Sequence, residues 1–420
     1  MRLLRKIKGG ALQYVLIVSV LVAIILFAFI SLVYLQQKIQ LKNVLYKEAI
    51  HNVLYGFDFL QNKAIPYEEV KEYQFSENKV EKTEILKEPW GVFDIAYVRS
   101  SVKNEFFQKI GLLGGFSGNK DALYLKDNNS PLVLVGNTRI EGDALLPKEG
   151  VKLGNISGVS YNGSQLIYGN KGISTSKLPK IENIEYIRRF LKKQYINDSV
   201  EYFQLEDKLR KTQLFTKGIA VCTSLDNIVV RNVHLKGKII IQSTRAIKVA
   251  ASAILEDVIL IAPKVELESN TVGTFQVIAS ENIIVNKGCK LRYPSALVIA
   301  NDKEESLVQL KERFIAIHER SDIAGIIIYE GSTKGGNFNS QITISEKAVV
   351  KGEVYCNENL ELLGNVYGTV FTNRFIAKQF GSVYINHIYN GIIANQRLAK
   401  EYCGLFMENS TRKKVAKWLY

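Results

Sequence analysis

Few side chains in these 420 residues stand where two or three of them could share a reaction. Glu256 and Asp257 are adjacent, Glu266 and Glu268 are two apart, and the four histidines are scattered at His51, His234, His318 and His387. Paired carboxylates do acid–base work, or hold calcium, only when both reach one point. Neighbours in a regular strand point to opposite faces, so Glu256 and Asp257 are expected to diverge. Glu266 and Glu268 would share a face, which a solvated outer surface explains equally well. The sequence has no G-x-S-x-G elbow, phosphate loop, H-E-x-x-H pair or dinucleotide-binding glycine pattern. The expectation is a protein that is not an enzyme, with no catalytic, cofactor-binding or metal residues.

Two other groups could carry chemistry. Arg188, Arg189, Lys192 and Lys193 fall within six positions of a charged, helix-like segment. Such a cluster reads as a solvated face, or as a docking surface for phosphate or acidic glycan. Cys222, Cys289 and Cys356 are spaced 67 apart, with Cys403 as the fourth cysteine and no C-x-x-C pair. That interval suggests small residues at equivalent places in a repeat; paired thiols are the alternative.

What positions these residues begins with an anchor. Ala11 to Leu35 is a run of 25 residues without a charge. At about 1.5 Å per residue it spans a bilayer core of about 30 Å with some tilt to spare. It is too long for the apolar region of a cleaved signal peptide, and no A-x-A site follows it. Arg2, Arg5, Lys6 and Lys8 precede it and Lys38, Lys42 and Lys47 follow more sparsely, which places the N-terminus in the cytoplasm and the large C-terminal part outside it. Beyond Leu35, the spacing of Leu41, Val44, Leu45, Ile50, Val53, Leu54 and Phe57 predicts an amphipathic helical extension that Pro66 closes. A short basic leader ending in Gly10, then an apolar helix prolonged by an amphipathic one, resembles the N-terminus of type IV pilins and their secretion-system relatives. The resemblance implies cleavage between Gly10 and Ala11. It departs from the family at the fifth mature position, where Val15 stands in place of glutamate.

The body reads as strands. Short apolar runs broken by Gly, Asn and Asp begin at Pro131, and from Gly218 they fall into two interleaved ladders. Ile228, Ile247, Val265 and Ile283 form one; Ile240, Ile259, Val277 and Val298 form the other. A repeat of 18 to 21 residues with two or three strands per turn points to a parallel β-helix, each turn stacked on the last. An antiparallel sandwich, the alternative, would lack that doubled period. Glycines 352, 364, 368 and 381 each precede an alternating strand, as G-E-V, G-N-V, G-T-V and G-S-V. These steps resemble the bactofilin-type, polymer-forming β-helix. That family polymerises end to end on the cytoplasmic side of membranes, against the topology inferred from the flanking charges.

The fold expected is therefore mainly β: an N-terminal transmembrane helix extended into a long α-helix, then a parallel β-helix-like body. Its parts are a basic leader (1–10), the membrane helix (11–35), its extension (36–65), a small α+β linker (66–130), a short-strand region (131–177), a charged helical segment (178–214), the β-helix (215–395) and a C-terminal helical cap or tail (396–420). A 47% apolar composition suffices for a sizeable core, and the net charge of +14 favours acidic partners. The anchor makes the lipid bilayer a partner and disfavours nucleic acid. Self-association, envelope assembly proteins and acidic glycan are the other candidate partners. The expected role is a membrane-anchored structural or assembly protein of a bacterial envelope, such as a minor pilus-like or secretion-apparatus component. A β-helix carbohydrate-active or glycan-binding protein, and a membrane-tethered bactofilin-like cytoskeletal element, are the alternatives.

Overall fold

A computed structural model describes residues 10–63, 65–75, 81–118, 121–193, 200–301, 312–332, 337–408 and 412–420. Residues 1–9 of the basic leader and the charged insertion Asp302 to Leu310 lie outside the described residues. The chain is mainly β, with one long apolar helix near its N-terminus, and divides into two compact units.

The first unit comprises residues 1–59, 70–86 and 97–109. Its helix α1 belongs to an unbroken 53-residue element, Gly10–Asn62, long and apolar enough to cross a membrane. The stripe that packs is shorter than the sequence spacing suggests. Ala49, Asn52, Val53, Gly56, Phe57 and Leu60 are its buried positions, whereas Leu41, Val44 and Leu54 are exposed. At Gly56 the approach is close: a Cβ there would lie 2.6 Å from Val98 Cγ1. Lys71–Tyr73 pairs antiparallel with residues 83–85.

The second unit comprises 60–69, 87–96 and 110–420 and holds the repeat. Every turn of chain from about 234 to 394 contributes short strands that pair in parallel with the turns before and after. Each turn has three faces. The first carries the column Leu235, Leu255, Gly273, Leu291, Ile323, Val350, Val366 and Ile393. The third carries Ile228, Ile247, Val265 and Ile283, as the sequence spacing predicts, and continues through Ile315, Ile342 and Leu360. The second carries Cys222, Ile241, Leu260, Val277, Leu297, Ile327, Val354 and Val370. These columns close on one apolar core.

The second predicted ladder is out of register. Ile240 does pair with Ile259, but Ile259 then pairs with Gln276, while Val277 pairs with Leu260 and Val298 with Ile278. Ile240 and Ile259 are fully buried yet stand outside the core cluster that holds their neighbours Ile241 and Leu260. The second face is therefore covered on both sides.

Other expectations change as well. The linker 66–130 contains strands and no helix among its described residues; Trp90 ends one strand, and Phe93–Val102 begins after a turn at Gly91. Among its described residues the charged segment 178–214 is helical only at α2, Ile184–Lys192. The stack does not start at 215. Residues 123–125, 133–135 and 139–141 lie in parallel on 370–372, 387–389 and 392–394, and 144–146 and 151–153 lie on them in turn. The C-terminus is not a helical cap: Arg412–Leu419 is a strand paired antiparallel with 110–116. The core is instead flanked by Phe203, Leu205 and Leu209 near its first turns and by Tyr161 and Leu166 near its last, all packed against it.

Of the four glycines singled out, two do the same job. Gly325, Gly352 and Gly368 stack in one column at the entry to the second face, with φ of +150° to +156°. A Cβ on Gly352 or Gly368 would meet the preceding glycine's carbonyl oxygen at 1.9 and 1.8 Å. Gly364 serves a different corner by close approach, and Gly381 lies in the turn of a hairpin, with Val383 exposed rather than inward.

Candidate functional site

The covered second face is where polar side chains meet. Gln276 projects outward from it, 4% exposed: its Nε2 donates to Trp90 O at 2.9 Å and its Oε1 accepts from Val92 N at 2.8 Å. In the same stacking column, three turns on, Glu353 Oε2 accepts from Leu405 N at 2.6 Å, and Tyr402 OH donates to Gly325 O at 2.9 Å. The buried polar groups of this face thus receive backbone groups of the segments laid over it, satisfying donors that burial would otherwise leave unpaired.

Glu256 and Asp257 converge, against expectation. Asp257 is a bulge residue at φ +61°, between register shifts, so the strand alternation fails there. Lys417 Nζ donates to both Asp257 oxygens at 2.7 and 2.8 Å and lies 3.7 Å from Glu256, which also pairs with Lys236 at 2.9 Å. Tyr420 OH adds a 3.2 Å hydrogen bond to Asp257. Burial raises the Glu256 pKa, but Lys236 and Lys417 outweigh it and the net shift is downward. The cluster clasps the chain's last strand to the stack. Glu266 accepts from Asn286 at 3.0 Å and Glu268 pairs with Lys248 at 3.3 Å, both within the stack. His234 sits half-buried at the start of a first-face strand.

Sequence reading missed a third cluster, since its members lie far apart in the chain and in no motif. Tyr67 OH donates to Asp94 Oδ2 at 3.0 Å, Lys87 Nζ lies 3.7 Å from the same oxygen, and the ammonium stands 3.6 Å from the Tyr67 ring centroid. Burial lifts the Asp94 carboxyl to about 6, against the downward pull of Lys87 and Lys413, and lowers the Lys87 ammonium to about 8. Burial, then Asp94, drives Tyr67 far above the phenol range.

The cations at 188–193 sit on α2 and its C-cap. Arg188 pairs with Glu185 and, at 3.4 Å, with Glu330. Arg188 and Lys192 line a cleft of about 330 Å³ between α2 and the edge of the second face. The four cysteines are free and buried, and occupy no common column. Cys222 pairs with Ile241, Cys356 with Tyr329 and Thr372, and Cys289 occupies a corner where Sγ reaches Glu268 O; the interval of 67 is coincidental. Burial raises the thiols of Cys222, Cys289 and Cys356, which makes them poor nucleophiles. Gly10 and Ala11 are the first two residues of α1 and are exposed. Among the described residues no group of three or more His, Cys, Asp or Glu could hold a metal ion. No family model, curated protein or solved structure matches this chain.

Proposed function

We propose that this chain is a membrane-anchored structural or assembly protein of a bacterial envelope, with a parallel β-helix as its body. The N-terminus lies in the cytoplasm and the body outside it. The observation that carries this reading is α1: an uncharged, laterally exposed run of 25 residues that continues as one helix to Asn62. The side chains best suited to chemistry also serve the framework. Asp257 and Glu256 clasp the last strand, Glu353 holds the segment at 405, and Glu266 and Glu268 tie neighbouring turns. Cleavage between Gly10 and Ala11, and kinship with pilin-like or bactofilin-like assemblies, belong to this proposal.

Protease added to intact spheroplasts should digest the body while carbonate leaves the chain in the membrane. A protected body would turn the reading to the cytoplasmic, bactofilin-like alternative. Glu266→Gln and His234→Gln should preserve function in vivo, and deletion of residues 1–35 should abolish it. A folded Glu266→Gln or His234→Gln chain without function would replace the scaffold reading with an enzymatic one.

A further inference from the structure

Asp257 and Lys417 are placed for more than an ion pair. The Asp257 side chain is 5% exposed, and Lys417 Nζ stands 2.7 and 2.8 Å from its two oxygens, which brings the nitrogen up to the carboxyl group as a whole. Reacting atoms held about 3–3.5 Å apart behave as if at an effective concentration of about 10⁵–10⁸ M. The two residues are 160 apart in sequence. The strand that carries Lys417, Arg412–Leu419, has a single strand partner among the described residues, at 110–116. A bond to Asp257 would fasten that strand to the stack.

The groups around the pair are those that amide formation needs. Glu256 lies 3.7 Å from Lys417 Nζ, because the bulge at Asp257 turns both carboxylates to one side. Lys236 holds Glu256 at 2.9 Å, and its ammonium stands 4.4 Å from the Tyr420 ring centroid. Tyr420 OH donates to Asp257 Oδ2 at 3.2 Å. Burial, then the Asp257 and Glu256 charges, holds that phenol far above its usual range, so it stays a donor. On its other side the Tyr420 ring meets Phe215 at 5.9 Å, and Phe215, 1% exposed, meets Trp90 at 5.7 Å. This aromatic wall shields the carboxyl, while Lys417, 26% exposed, leaves a way out for a water molecule. Two charges kept so far from solvent are costly, and a neutral amide removes both.

We infer that Lys417 and Asp257 condense to an intramolecular amide, an isopeptide bond between the last strand and the stack. The ion pair is the state that precedes it. Glu256 takes one proton from the Lys417 ammonium, and the freed Nζ lone pair attacks Asp257 Cγ. Tyr420 OH stabilises the charge that grows on Oδ2. The proton on Glu256 and a second proton from Nζ pass to Oδ1, which leaves as water. One N–C bond forms and one C–O bond breaks, Glu256 ends as it began, and nothing is oxidised or reduced. The inference stands apart from the scaffold reading, since the bond forms or fails to form whatever the body does.

The test is tryptic peptide mapping, by mass spectrometry, of the full-length protein in detergent. Trypsin cuts after Lys248, Lys264 and Lys414, and an amide at Lys417 blocks the cut there. The wild type should yield peptide 249–264 joined to 415–420, lighter than their sum by one water, in place of a separate 418–420 fragment. Asp257→Ala and Lys417→Arg should yield no joined peptide. Glu256→Gln keeps the side chain's size but takes no proton, and should slow the appearance of the joined peptide in newly made chains by about a hundredfold or more. Wild-type protein that gives only the separate peptides overturns the bond. A joined peptide in Asp257→Ala overturns it as well, by placing the link at another side chain, and a wild-type rate in Glu256→Gln overturns the route through Glu256. Should a variant fail to fold, the wild-type peptide alone decides whether the bond exists.

Discussion

Gln276→Leu isolates what the covered second face requires. Leucine keeps nearly the same volume but removes both amide partners, so Val92 N–H and Trp90 C=O stay buried without them. Each orphaned group costs about 1–3 kcal/mol, or about 2–6 kcal/mol for the two. Burying the leucine's added apolar surface returns about 1–2 kcal/mol. The net loss expected is about 3 kcal/mol, a large part of an ordinary domain's stability. Urea unfolding of the full chain in detergent, followed by Trp fluorescence, measures it, with Gln165→Leu at an exposed position as the control. A difference between the two variants below about 0.5 kcal/mol would refute the argument that Gln276 anchors the overlying turn.

Ile259→Ala and Leu260→Ala should each cost about 2–5 kcal/mol, because adjacent residues are both buried here, while exposed Lys264→Ala should stay within about 0.5 kcal/mol in the same assay. Gly352→Ala should cost about 3 kcal/mol or more, or prevent accumulation, since its Cβ would stand 1.9 Å from Gly325 O; wild-type unfolding would contradict the glycine column. Asp94 has its folded pKa, about 6, above the ordinary 3.8, so the folded chain holds a proton between those pH values that the unfolded chain has released. Its contribution is full below about pH 3.8 and lost as pH rises through about 6. The stability of wild type relative to Asp94→Asn should therefore grow on acidification from pH 7 to 4, by at most about 3 kcal/mol; a pH-independent difference would count against it. Val22→Arg and Ile25→Arg should each oppose insertion by about 2.5–3.5 kcal/mol, seen as protein released by carbonate.

The third face was legible because its outer side is solvated: Ile247, Lys248 and Val249 alternate buried and exposed, which fixes their phase. The second face was not. Residues 239–241, 258–262 and 296–300 are apolar at every position because both sides are covered, so the phase of Ile259 against Val277 is invisible, and the Asp257 bulge shifts it further. The same bulge made Glu256 and Asp257 converge where alternation says they cannot. The last strand carries Lys413, Lys414 and Lys417 beside Trp418, a pattern that suits a lysine-guarded strand as well as a basic amphipathic helix. Its partner at 110–116 is about 300 residues away in sequence and left no local signal.

The stacking of 121–173 upon 365–394 sets an order of events during synthesis. A ribosome delivers the earlier segment first, yet the surface it rests on emerges roughly 250 residues later. At about 5–20 residues per second, strands such as 132–135 and 139–141 wait on the order of 12–50 s before their template exists. During that interval these short, apolar strands can pair only within 121–173, and the edges that face 365–394 stay open. The nascent chain is most exposed to misassembly in this window, and a holding chaperone on the side where the body folds would act before residue 394 is made.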